Sequence, residues 1–89
     1  MIPERPRLAN GVRLRFDQVR GRHVLLYPEG ALALNPTAAD VLDLCDGERT
    51  IEEIAQLLSA RYDGADVQSD VATLIGSIAD RGLVVDADG

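Results

Sequence analysis

Polar and apolar residues alternate strictly over Val12-Arg13-Leu14-Arg15-Phe16. Apolar side chains two residues apart share one face of an extended strand. Val12, Leu14 and Phe16 are therefore expected to point inward, and Arg13 and Arg15 outward. The stretch DQVRGR reads as a turn around Gly21, and His23 to Tyr27 as a second strand. PEG then closes that strand, because Pro28 fixes its own φ and Gly30 can take a positive one. Ala31 to Leu34 is predicted as a short third strand, completing an antiparallel meander.

At Asn35-Pro36 the apolar spacing becomes helical. Asn35 suits an N-cap, since its side-chain oxygen can accept an orphaned backbone N–H, and Pro36 suits the first helical position, where no donor is needed. Ala38, Val41, Leu42 and Cys45 follow at i, i+3, i+4 and i+7, with Gly47 as a left-handed stop. Thr50 and Glu53 form a capping box for a second helix that turns Ile51, Ile54, Ala55 and Leu58 inward. Asp66 is expected to cap a third helix with Val67, Val71, Leu74, Ile75 and Ile78 inward. Gly82 ends it before Leu83-Val84-Val85, a short final strand. The predicted fold class is α+β and winged helix-turn-helix-like, a three-stranded antiparallel sheet followed by three helices. Residues 1–10, with Pro3 and Pro6, are expected to form an extended N-terminal arm, and residues 11–89 a single domain.

Composition constrains the core and the partners. At 46% hydrophobic and 27% charged residues the chain is expected to fold. With only Phe16, Tyr27 and Tyr62 as aromatics, its core must come from Leu, Val, Ile and Ala. The net charge of -6 opposes general binding to phosphate backbones or anionic membranes. It is unevenly spread. Residues 1–22 hold six arginines against two acids, and residues 23–89 hold three against thirteen. The split suggests two surfaces for two contacts, or simply solubilising charge. A single cysteine excludes an internal disulfide, and neither a signal peptide nor a membrane span is evident, so a cytoplasmic location is expected.

Catalytic chemistry is poorly provided for. His23 stands alone in a predicted strand and reads as an exposed strand position. Cys45 lies on an apolar helix face, where burial favours the neutral thiol. Asp43, Asp46 and Glu48 lack the regular spacing of a calcium loop. No phosphate-binding glycine loop or nucleophile triad can be assembled. No catalytic residue, metal site or cofactor is therefore expected. A nucleic-acid-binding winged helix stays open as an alternative. Against it, the polar face of the third helix (Gln68, Ser69, Asp70, Thr73, Ser77, Asp80) offers phosphates only Arg81.

The segment LLYPEGALALNPTAADVLDLCDGERTIEEIAQLL, Leu25 to Leu58, resembles the PqqD family of pyrroloquinoline quinone synthesis. The PEG turn, LN before the helix, CDG with a following Thr, and the Asp70 region leading to RGLV carry the likeness, which extends from Pro6 to Val85. The resemblance implies a non-catalytic peptide chaperone that binds a ribosomal precursor peptide. It would present that peptide to a radical S-adenosylmethionine enzyme, and similar domains serve other modified-peptide pathways. It also implies that the peptide joins the sheet beside the third strand, against the third helix. The candidate peptide-binding residues are then Ala31, Leu32, Ala33 and Leu34 on the strand, and Val71, Leu74, Ile75 and Ile78 on the helix.

The residues supply a reason. A free sheet edge offers unpaired N–H and C=O groups and is ordinarily blunted by charge or proline, and Ala31 to Leu34 contains neither. Coverage of this strand by a helix or by a second copy of the chain is the alternative, so monomer and homodimer both stay open. Arg13, Arg15 and the acidic helices are candidate contacts for the enzyme.

Overall fold

The computed structural model describes residues 2–88. It contains β1 (Pro6–Leu8), β2 (Arg13–Asp17), β3 (Arg22–Tyr27), β4 (Gly30–Leu34), α1 (Pro36–Asp43), α2 (Ile51–Arg61), α3 (Gln68–Asp80) and β5 (Val84–Asp86). The expected meander is β2-β3-β4, an antiparallel sheet in that spatial order. A second sheet pairs β1 with β5, joining the two ends of the chain. The three residues of β1 fall inside the segment read as an arm. Pro6 starts that strand, where proline costs no ladder donor, and is almost wholly buried.

Register fixes which residues share a face. Leu14 pairs with Leu25 and Leu25 with Leu32, while Phe16, His23 and Leu34 form the parallel row. This is the covered face: α1 touches all three strands, and Leu25 is 0% exposed. The opposite face carries Arg13 beside Leu26 and Ala31, then Arg15 beside Val24 and Ala33. Phe16 departs from expectation. It has the right parity, but it lies at the sheet end beyond α1 and is 53% exposed. His23, read as a plain exposed position, is half-buried and meets Phe16 edge to face, with ring centroids 4.9 Å apart.

The local helix signals are realised as bonds. Asn35 Oδ1 accepts from the Ala38 amide at 2.7 Å, and Pro36 takes the first helical position. Thr50 Oγ1 accepts from Glu53 N–H while Glu53 Oε1 accepts from Thr50 N–H. Gly82, at φ 78, closes α3 with Gly82 N–H to Ala79 carbonyl and Leu83 N–H to Ile78 carbonyl.

Three turn readings need correction. Gly30 has no positive φ, because it is the first strand residue and pairs with Tyr27 across a two-residue turn. α1 ends at Asp43, so Cys45 and Gly47 lie beyond it. Gly47 (φ 84) instead donates its N–H to the Pro6 carbonyl, fastening the α1–α2 connection to β1. Val67 rather than Asp66 occupies the α3 N-cap, and Asp66 Oδ1 accepts from Gln68 N–H one position outside.

The core is aliphatic, as the composition requires. Leu25, Val41, Ile54, Leu58 and Ile75 are all 0% exposed. Three carboxylates at its periphery are held below their usual pKa by backbone donors. The leading donor to Asp46 is Glu48 N–H, to Glu53 it is Thr50 N–H, and to Asp86 it is Asp88 N–H. Asp86 also accepts from the Glu4 and Arg5 amides, so it ties the N-terminal segment down. Because the native state holds these protons less tightly than the unfolded chain, the stabilisation is complete above the unfolded carboxylate pKa. It fades as pH falls through the folded values. The melting temperature should hold near neutrality and decline below about pH 5. Circular-dichroism melts check this, and Asp86→Asn should flatten the acid limb.

Candidate functional site: the β4 edge and the adjoining pocket

β4 is a border strand, paired among the described residues only with β3. The two-residue turn makes Tyr27–Gly30 a hydrogen-bonded pair, and antiparallel pairs alternate. Leu25–Leu32 and His23–Leu34 therefore share ladder bonds, whereas the N–H and C=O of Ala31 and Ala33 point away from β3. No hydrogen bond outside the β3–β4 ladder occupies these groups among the described residues. The side chains fit this role. Ala31 and Ala33 are exposed but too small to obstruct the edge, while Leu32 is half-buried and Leu34 is buried.

A pocket of about 210 Å³ lies where α1, α2 and α3 converge, and its lining includes Asn35, Thr37, Ala38, Tyr62, Asp70 and Leu74. Asn35 immediately follows β4, so the pocket adjoins the C-terminal end of the free edge. Tyr62 donates its O–H to Asp40 Oδ2 at 2.7 Å, and this bond is the main reason its pKa is raised. Its lining combines apolar side chains, Val41 and Leu58 among them, with a few polar groups, the composition of a ligand pocket.

The sequence-derived helix residues divide. Val71 and Leu74 both contribute to the pocket, with Val71 buried and Leu74 half-buried. Ile75 and Ile78 are core residues, 0% and 4% exposed, and do not belong to its lining. Tyr62, Asp40 and Thr37 escaped the sequence reading. Their significance arises from three helix ends meeting, which no local pattern announces. Asn35 was read only as a cap.

Cys45 is 5% exposed, donates its thiol to the Val41 carbonyl, and has its pKa pushed up to about 12, chiefly by burial. Among the described residues, no group of three or more His, Cys, Asp or Glu is placed to hold a metal ion. No described helix is long and apolar enough to cross a membrane.

The family described as coenzyme PQQ synthesis protein D (PqqD) matches residues 22–84. The bifunctional coenzyme PQQ synthesis protein C/D of Methylorubrum extorquens is 45% identical over 78 residues, which is 85% of this chain and 21% of that protein. The chain thus spans about a fifth of that relative. A PqqA binding protein of Rhodopseudomonas palustris (strain BisB5) is 39% identical over 93% of this chain and 83% of its own length.

Among solved structures, the PqqD truncation of Methylobacterium extorquens PqqCD superposes with a TM-score of 0.77. It is 42% identical and covers 89% of this chain and 86% of its own. It is described as a functional, stand-alone recognition element for ribosomally synthesized, post-translationally modified peptides. PqqD from Xanthomonas campestris gives 0.59 at 35% identity, over 85% of this chain and 87% of its own. By the extent of these matches, the chain belongs to the family of coenzyme PQQ synthesis protein D.

Proposed function

We propose that this chain is a non-catalytic cytoplasmic carrier of the ribosomal precursor peptide in pyrroloquinoline quinone synthesis. It takes up the peptide as an added strand along β4 and presents it to a radical S-adenosylmethionine enzyme. The observation that carries this reading is the open edge, with Ala31 and Ala33 directing two N–H and two C=O groups outward. Main-chain pairing supplies affinity regardless of sequence, and alternate side chains select the guest. One set of guest side chains would lie by Leu32 and Leu34, toward the helices and the pocket containing Leu74. The other would lie over Ala31 and Ala33. Relatives named for PqqA binding, and one described as a peptide recognition element, support this assignment.

Residues 11–89 form the recognition domain on this reading, with β1 of the N-terminal segment fastened to it. The same edge would permit two copies to pair in the absence of peptide, so monomer and homodimer are both compatible with it. Titrating synthetic precursor peptide into the labelled protein and following amide hydrogen exchange tests the proposal. The Ala31 and Ala33 amides should become protected, while those of Leu32 and Leu34, already in the ladder, change little. Tight binding with both alanine amides still exchanging freely would refute strand addition.

A further inference from the structure

The face of the sheet turned away from α1 carries a feature that the β4 edge does not use. Arg13 and Arg15 on β2 and Arg22 on β3 have this parity, and among the described residues none of their side chains makes a hydrogen bond or ion pair. By contrast Arg5 and Arg49 are each engaged, with Asp88 and Asp46. In register beside the free arginines stand Leu26, 38% exposed, and the half-buried Val24. The same hairpin exposes Phe16 and, at its tip, Val19. Phe16 has the parity of the covered face, so it is Leu26, with Val24 beside it and Val19 at the tip, that accompanies the three unpaired guanidinium groups. Arginine and apolar or aromatic side chains together are the composition of protein-docking hot spots.

We infer that the exposed β2–β3 face is a second docking surface, for a folded protein that presents carboxylates around an apolar spot. The charge decides the partner's sign: this is the arginine-rich part of a chain with net charge -6. Nucleic acid fits less well, because a phosphate backbone makes no use of Leu26, Val24 and Val19, and the acidic remainder of the chain repels it. Strand order supplies the separation. β2 and β4 are opposite borders with β3 between them, so a guest strand on β4 and a protein on the β2 side do not compete for one edge. The partner in question is the enzyme to which the peptide is presented, so the inference rests in that respect on the proposed function.

The test uses the full chain and two probes, the pathway's radical S-adenosylmethionine enzyme and synthetic precursor peptide. Each is titrated separately by calorimetry at 50 and 300 mM salt. The double substitution Arg13→Glu/Arg15→Glu should weaken enzyme binding at least tenfold and leave peptide binding within twofold. Wild-type affinity for the enzyme should fall steeply with salt. The milder Arg13→Gln/Arg15→Gln pair, with thermal melts for both, separates docking from folding and should give an intermediate loss.

Equal enzyme affinity in a folded charge-reversed protein overturns the inference. So does a wild type that binds peptide but not enzyme, or parallel loss of both ligands on charge reversal. Retention of duplex DNA at 50 mM salt that vanishes with the arginines would assign the face to nucleic acid instead. Failure of the wild type to bind peptide would sink the carrier reading, and the enzyme titration reads out independently of it.

Discussion

Ile75→Ala should lower the unfolding free energy by about 2–5 kcal/mol, a large share of the 5–15 kcal/mol typical of a domain. Ile75 is 0% exposed at the centre of the α3 stripe, with Val71 and Ile78 buried a turn away on either side. α3 packs against α1, α2 and β5, so the cavity would open where four elements meet. Rigid secondary structure on every side limits collapse into the void, which is the condition for a cost well above simple transfer. For a chain of this length each kcal/mol shifts the melting temperature by about 4–8 °C, so the loss should be evident in a thermal melt. Leu74→Ala, one position along, provides the contrast. Leu74 is half-buried beside the pocket, and its truncation should cost less stability and more peptide affinity. If Ile75→Ala melted with the wild type while Leu74→Ala unfolded it, the division of α3 into core and pocket residues would be wrong.

That division marks where sequence reasoning reaches its limit. Counting apolar positions on α3 gives more residues than one helix stripe ordinarily buries, and the count cannot say which one faces a pocket. The answer depends on where α1 and α2 end, through Asn35, Ala38 and Tyr62. By contrast the Asn35 cap and the Thr50–Glu53 box were legible, because both ends of each bond lie within three residues. The alternation of β2 gave the correct parity for Phe16 but not its exposure, since parity says nothing about where the covering helix stops. β1 was hidden altogether. It is three residues long, starts with a proline, and finds its partner at the opposite end of the chain. The free edge at β4 lay between these cases. Absence of charge and proline made Ala31 to Leu34 suitable, but only the strand order showed that, among the described residues, no fourth strand covers it.

Ala33→Pro should abolish detectable binding of the precursor peptide while leaving the fold intact, whereas Leu32→Pro should unfold the sheet itself. The two neighbours differ above all in the direction of their backbone, and Leu32 is half-buried where Ala33 is exposed. Ala33 lies opposite Val24 in a pair that shares no ladder bonds, so its N–H faces the open border and proline removes no bond of the native sheet. The residue before a proline is biased to extended backbone, which Leu32 already adopts in β4. What the substitution does remove is one outward donor, and it sets ring bulk where a guest strand would approach. Leu32 instead exchanges its bonds with Leu25, the buried centre of β3, so a proline there breaks the ladder and displaces a half-buried side chain. Calorimetric titration of each variant with peptide, beside its circular-dichroism melt, makes the comparison. Full peptide affinity in a folded Ala33→Pro protein would mean that the guest lies elsewhere, in the helical pocket alone. Both variants unfolding alike would mean that β4 is held by more than its pairing with β3.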